Sequence, residues 1–211
     1  MAHLLRTITR SNSTTSSSRS ITSTNKTTVS INDVENHLQN WSIPKTSSSL
    51  VYNKSIFDFK SDYIIKTVEE TLPILEEYMT IELLPQKILE ASILKGYKFL
   101  HLGLVQIAVK PLTRIGLNTS LLLCLRDKRH NKYSDSMLGC VKSSLCEGPV
   151  YFNCFPDFSV SLLDPTIMKT LSLDIQTSGF DMDSASSNMV LIYRLFIKVM
   201  NTVSPKRKPQ K

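Results

Sequence analysis

The chain has 211 residues, 41% of them apolar and 20% charged, which gives room for one core of ordinary size, is short for two, and excludes disorder along the whole length. Its net charge is +7, but Arg6, Arg10, Arg19, Lys26, Lys206, Arg207, Lys208 and Lys211 lie in terminal stretches without acids. Taking these eight charges from +7 leaves residues 33–205 at about −1, so the basic character belongs to the tails. No apolar run reaches the roughly 18 residues that span a bilayer, and the N-terminus lacks a secretory apolar region, so a soluble or peripheral protein is expected.

In chain order, residues 7–30 are mostly Ser, Thr and Asn with scattered Arg. Such a composition cannot bury enough apolar surface to offset backbone entropy, and residues 1–32 are expected to be a disordered arm. The same features describe an organelle transit peptide, and both readings stand at this point. Residues 33–60, with Trp41, Pro44 and Tyr52, are expected to be extended and to wrap the domain. Between Tyr63 and Leu94, the apolar residues Ile64, Ile65, Val68, Leu72, Leu75 and Met79 recur near helical spacing, with acids between them, and Ile88, Leu89 and Leu94 continue the pattern. Two helices broken around Pro73 and Pro85 are predicted.

From Tyr97 onward short apolar runs alternate with turn signals. Strands are predicted at 97–109 (stopped by Pro111), 120–126, 136–145, 150–155, 158–163, 171–177 and 189–201. In Phe158–Leu162 and Leu171–Gln176 the period is two, which signals one buried and one wet face. Turns are expected at 114–118, 147–149 and 178–179, where Gly, Asn or Pro lets the chain reverse. Seven strands suffice for two packed sheets. The domain is taken as 33–203, followed by a basic tail at 204–211.

Candidate chemistry is sparse. There is no GxSxG elbow, no recognisable Cys/His spacing, no HExxH and no glycine-rich phosphate loop, so nucleophilic, metal-dependent and ATP- or NAD-dependent activities are disfavoured and no cofactor is expected. Cys124, Cys140, Cys146 and Cys154 read as reduced, mostly buried thiols, with a Cys146–Cys154 disulfide a poor second. Asp127, Asp157, Asp164 and Asp174 are taken as turn-forming and edge-solubilising residues, although their convergence is not excluded by the sequence. The stretch 110–142 carries Lys110, Arg114, Arg126, Lys128, Arg129, Lys132 and Lys142 against two aspartates, while 58–90 is acidic. This dipole suits either a polyphosphate backbone or pairing of two copies. The loop Lys128, Arg129, His130, Lys132 and Tyr133 combines cations with a ring, as non-specific single-strand binding requires.

The run Tyr97-Lys98-Phe99-Leu100-His101-Leu102-Gly103-Leu104-Val105-Gln106-Ile107-Ala108-Val109-Lys110-Pro111-Leu112-Thr113-Arg114 resembles the movement-protein domain of plant pararetroviruses. The resemblance extends to Asn40-Trp41-Ser42-Ile43-Pro44, Gly116–Ser120, Leu123–Asp127, Gly148–Phe152 and Tyr193-Arg194, and so covers most of 35–203. The superfamily's sparse signature, Leu-x-Asp followed farther on by Gly, matches Leu125, Asp127 and Gly179.

The resemblance implies a mainly β, jelly-roll-like antiparallel sandwich, here with one or two helices before the first core strand and disordered termini. It also implies non-specific binding of single-stranded DNA or RNA, self-association, and contact with host plasmodesmal and endomembrane components and with virion coat protein. The expected setting is the plant-cell cytoplasm and plasmodesmata, peripheral to membranes.

Two departures stand out. Where many members have a Gly-Ser turn, this chain has Met182–Ser186. Pararetroviral domains of this kind open a polyprotein, so a chain stopping at Lys211 is expected to be a processed product, a fragment or an integrated copy. Lys110, Arg114, Arg126, Lys128, Arg129 and Lys132 are the expected phosphate contacts, and Asp127 is expected to hold its loop by local pairing. The rival readings are an organelle-imported protein and a tubule- or capsid-like module that assembles without nucleic acid.

Overall fold

Period-two alternation governs most of the chain, and it builds two antiparallel sheets facing each other across one apolar layer. The computed structural model describes residues 40–52, 63–112, 116, 118–180 and 188–202. The expected arm (1–32), the tail (204–211), Arg114 and the 182–186 loop lie outside them.

Among the described residues the elements are α1 (Ser48–Val51), β1 (Tyr63–Ile74), β2 (Tyr78–Glu82), α2 (Gln86–Leu94), β3 (Phe99–Pro111), β4 (Ser120–Arg126), α3 (Tyr133–Ser136), β5 (Met137–Ser143), β6 (Val150–Cys154), β7 (Phe158–Ser161), a 3-10 turn (Ile167–Thr170), β8 (Ser172–Ser178) and β9 (Met189–Met200). Sheet A has the order β1-β9-β3-β6, with β7 also pairing with β3, and sheet B the order β2-β8-β4-β5. Treating β6 and β7 as one interrupted strand gives two interleaved four-strand sheets, the arrangement of a jelly roll. The expected fold class holds.

The core lies between the sheets. Leu121, Leu123 and Leu125 of β4 and Leu173 and Ile175 of β8 meet Leu191, Tyr193, Leu195, Ile197 and Val199 of β9. On β3 the inward positions are Leu100 and Leu102, then Val105, Ile107 and Val109, a switch from even to odd numbers. The pairing with β9 shifts between Leu102 and Leu104, so Gly103 is the extra residue of a β-bulge that makes this switch. Each of these side chains, fully buried, contributes roughly 1.5–3 kcal/mol of transfer free energy.

The helix expected over Tyr63 to Met79 is not formed. The segment is the two strands β1 and β2, and only the second predicted helix, α2 after Pro85, exists. On β1 the inward row is Ile64, Lys66, Val68, Glu70, Leu72 and Ile74. Two of its positions are polar, and each has an inner partner: Lys66 Nζ donates to Ser92 Oγ of α2 at 3.2 Å, and Tyr193 Oη donates to Glu70. These two substitutions hide the alternation and leave the remaining apolar residues near helical spacing. Pro73 is tolerated because β1 is an edge strand of sheet A.

The register sorts the connections into two ends. Arg126 and Glu82 both pair with Ser172, Leu83 N–H donates to Leu171 O, and Leu162 N–H donates to Lys98 O. The connections 83–98, 127–136 and 162–171 therefore share the α2 end. Ser120 pairs with Ser178, and Ile74 and Pro111 both pair with Met189, so residues 75–77, Leu112, Thr119, Gly179 and Asn188 share the far end.

Candidate nucleic-acid interface

The β4–β5 connection at the α2 end is built around Asp127. Its backbone N–H donates to Ser136 O at 2.7 Å, which closes the loop. Its carboxylate, with the side chain 4% exposed, accepts from Arg129 Nε at 2.9 Å, Arg129 Nη2 at 2.6 Å and Arg129 N at 3.1 Å. The hydrogen bonds to Asp127 raise the Arg129 pKa above its ordinary value despite burial, and Asp164 adds to this through Arg129 Nη1 at 3.4 Å. Asp127 therefore holds the loop by local pairing.

The neighbouring cations are matched in the same way. Asp174 of β8 takes Arg126 Nη1 on one oxygen and Lys128 Nζ on the other, both at 2.8 Å. Burial pushes the Asp174 carboxyl up, but hydrogen bonds from Lys128, Arg126 and Thr80 outweigh it and hold the group below its ordinary value. The Arg126 guanidinium also lies 4.0 Å from the centroid of the Tyr133 ring. Three of the four aspartates noted in the sequence thus converge, but on cations. The fourth, Asp157, faces His101 Nε2 at 3.2 Å on sheet A.

The expected cationic face is divided. Arg126, Lys128, Arg129 and Lys132 gather at the α2 end, whereas Lys110 sits opposite Val190 towards the far end of β3. The six-residue step along β4 from Ser120 to Arg126 alone separates the two ends by about 20 Å. Lys132 is exposed, as are Lys142 on β5 and Lys169 in the 3-10 turn. The sequence reading did not single out Lys169; it reaches this end because Lys128 N–H donates to Lys169 O at 2.8 Å. The signature residues are divided as well. Leu125 is in the core, Asp127 clamps the α2 end, and Gly179 lies at the far end with φ +79°, where a Cβ would collide with the Asn118 carbonyl oxygen.

The outer face of sheet B adjoins the Asp174 cluster. Across its strands Tyr78, Gln176, Leu122 and Lys142 form one row, and Thr80, Asp174, Cys124 and Cys140 the next. Tyr78 is 66% exposed and Tyr133 50%. They flank a shallow groove floored by Leu122, Cys124 and Gln176, whose Nε2 donates to Tyr78 Oη at 3.2 Å. Tyr78 also went unnoticed in sequence, because it was placed in a helix. Two exposed rings beside Lys132 and Lys142 are suited to stacking bases with phosphates nearby.

Sheet A is covered on its outer side. Residues 40–52 cross it, as the wrap anticipated for this part of the chain does, but Ser48–Val51 form a helical turn where an extended chain was expected. Ile43 and Tyr52 are buried, and Tyr52 packs with Leu104 and Phe196. Tyr52 Oη donates to the carbonyls of His101 and Phe196 at 3.1 and 3.0 Å, and burial raises its pKa well above the usual phenol value. Arg194 Nη1 donates to Pro44 O and to Gln106 Oε1, both at 3.2 Å, and Gln106 Nε2 donates to Thr46 Oγ1 at 3.1 Å. At Gly103 a Cβ would lie 2.6 Å from Tyr52 Oη and 2.8 Å from Val51 Cγ1, so the bulge glycine also makes room for the strap.

None of the four cysteines is in a disulfide. Among the described residues, no group of three or more His, Cys, Asp or Glu is placed to hold a metal ion, and no helix is long and apolar enough to cross a membrane.

The architecture is that of a jelly-roll-like β-sandwich, with an ion-paired loop at one end and one outer face open. The model of the viral movement protein (MP) family matches residues 26–210, and the chain belongs to that family. Among curated relatives it is 30% identical over 116 residues to the movement protein of Cauliflower mosaic virus (strain BBC), covering 54% of this chain and 35% of that protein. It is 30% identical over 128 residues to the genome polyprotein of Petunia vein clearing virus (isolate Shepherd), covering 60% of this chain and 6% of the polyprotein. The chain thus spans about a third or less of the curated relatives it matches. Similar solved structures include the empty head of Turnip yellow mosaic virus (TM-score 0.47, 7% identity, 80% of this chain and 95% of that one) and Cocksfoot mottle virus (TM-score 0.46, 12% identity, 78% and 94%).

Proposed function

We propose that this chain carries single-stranded nucleic acid from cell to cell through plasmodesmata, as a non-enzymatic carrier that binds without sequence preference on the open face and α2 end of sheet B. Membership of the movement-protein family over residues 26–210 carries this reading. The exposed Tyr78 and Tyr133, with Lys132, Lys142 and Lys169 around them, support the placement of the nucleic acid. Arg126, Lys128 and Arg129 belong to it as the frame of the loop, because Asp174, Asp127 and Asp164 already take up their charge. Self-association and contacts with host plasmodesmal and endomembrane components and with virion coat protein are part of the same proposal, in a cytoplasmic and plasmodesmal setting.

Two experiments test it. A labelled oligonucleotide titrated at several salt concentrations should bind more weakly as salt rises. Replacing Lys132, Lys142 and Lys169 with alanine should lower the log–log slope by about 2, since each phosphate contact on a single strand contributes roughly 0.7. An unchanged slope removes these lysines from the interface. Fluorescently tagged protein expressed in leaf epidermis should form cell-wall foci and reach neighbouring cells, and label confined to the expressing cell contradicts the transport reading.

A further inference from the structure

We propose that Cys124 and Cys140 are a thiol–disulfide modification site, closing a reversible cross-strand disulfide by exchange with a low-molecular-weight disulfide such as oxidised glutathione. The two residues stand directly opposite each other on β4 and β5, on the outer face of sheet B. Opposed residues of an antiparallel pair have Cα atoms roughly 4.5–5.5 Å apart, inside the roughly 4.4–6.8 Å range of disulfides, so the bond needs no backbone rearrangement. Their Sγ atoms are 2.8 Å apart and neither is in a disulfide.

The other two cysteines have no opposed thiol in the strand register. Burial pushes the Cys154 thiol up to about 11, and it donates to Leu138 O at 3.6 Å. Cys146 lies in the connection after β5, beyond the strand that carries Cys140.

The exchange balances. The Cys140 thiolate, the more exposed of the two, attacks one sulfur of the small disulfide and releases one small thiol, leaving a mixed disulfide. The Cys124 thiolate then attacks the Cys140 sulfur, forming the Sγ–Sγ bond and expelling the second small thiol. The protein loses two thiol hydrogens and two electrons, and the small disulfide gains both. Cys140 is partly exposed while Cys124 is buried, so a reducing thiol reaches the bond at the Cys140 sulfur and the bond is reversible, as redox-sensing disulfides in reducing compartments are. Its position connects it to the face described above, because Cys124 lines the groove between Tyr78 and Tyr133. Oxidation therefore alters the floor of that groove beside Tyr133.

The test is intact mass and peptide mapping of the full chain after incubation with oxidised glutathione. The expected product has lost two hydrogens, joins the β4 peptide to the β5 peptide, and returns to the starting mass with dithiothreitol. Cys124→Ser should stop at a glutathionyl adduct on Cys140, and the Cys146→Ser/Cys154→Ser protein should still close the bond. Wild-type protein that keeps all its thiols, or a linkage that maps to Cys146 or Cys154, overturns the proposal. The wild-type mapping alone decides this if a variant fails to fold.

Discussion

The two outer faces of the sandwich arise from the same strand periodicity and end in opposite ways. Sheet A presents Leu104, Ala108 and Phe196 outward, with Gln106 and Arg194 among them, and residues 40–52 lie over them. Sheet B presents Thr80, Asp174, Gln176, Leu122 and Lys142 with the exposed Tyr78, and among the described residues Tyr133 from the 127–136 connection lies against it beside Cys124. Ordering a strap costs about 1–2 kcal/mol of backbone entropy per residue. Over sheet A the strap works against that cost by burying Ile43 and Tyr52 and by supplying partners to Gln106 and Arg194. Sheet B's face is polar enough to stay in water, and its rings and lysines are left available to a partner.

The largest expected effect is on the loop that borders the open face. Asp127→Ala would leave Arg129 half-buried without its bidentate partner and should lower stability by about 3 kcal/mol, read by urea denaturation. This is the low end for a broken buried pair, because the guanidinium keeps 23% of its side-chain exposure. A loss below about 1 kcal/mol would mean that Asp127 is not the anchor of the β4–β5 connection.

The covered face breaks next. Gly103→Ala places a methyl group against Tyr52 and Val51 and should cost about 2 kcal/mol, with new protease cleavage within residues 40–52. Cleavage there that does not change would show the strap to be held elsewhere.

On the open face, Tyr133→Ala should weaken oligonucleotide binding by about 1–2 kcal/mol with little change in salt slope, because stacking does not release counterions. Tyr151, whose ring lies tilted at 49° to Trp41 of the strap with centroids 6.3 Å apart, is the comparison residue, and Tyr151→Ala should leave binding affinity unaltered.

The smallest effect is the acid limb. The folded Asp174 and Asp164 titrate below their ordinary values, Asp174 through Lys128, Arg126 and Thr80, which overcome its burial, and Asp164 chiefly through Thr166. Depressed carboxylates contribute stability that is complete above the unfolded-state pKa of about 3.9 and is lost as pH falls through the lower folded values. Melting temperature should therefore fall below about pH 4, and Asp174→Asn should flatten that fall. An acid limb identical to wild type would remove the Asp174 pairs from the stability of this end.

Much of this contrast could be read from the sequence, and the gaps have physical causes. From β4 onward each predicted strand matches an observed one to within about two residues, because one face of each is consistently apolar. β1 and β2 were hidden by Lys66 and Glu70 at inward positions, whose partners, Ser92 and Tyr193, lie far along the chain. The cations of the β4–β5 connection were visible, but the carboxylates that pair with them were not linked to them. Asp174 is brought in by the register of β8 against β4, and Asp164 by the 162–171 connection, neither of which local spacing encodes. The opposed thiols of Cys124 and Cys140 depend in the same way on the β4–β5 register.

The central claim, that nucleic acid is held on sheet B while sheet A stays closed, is tested most directly by hydrogen exchange of the full chain with and without a single-stranded oligonucleotide. Slower exchange in β2, β8 and the 127–136 connection, with 40–52 unchanged, is the predicted result. Protection confined to residues 40–52 and sheet A, or no protection under saturating oligonucleotide, would contradict it.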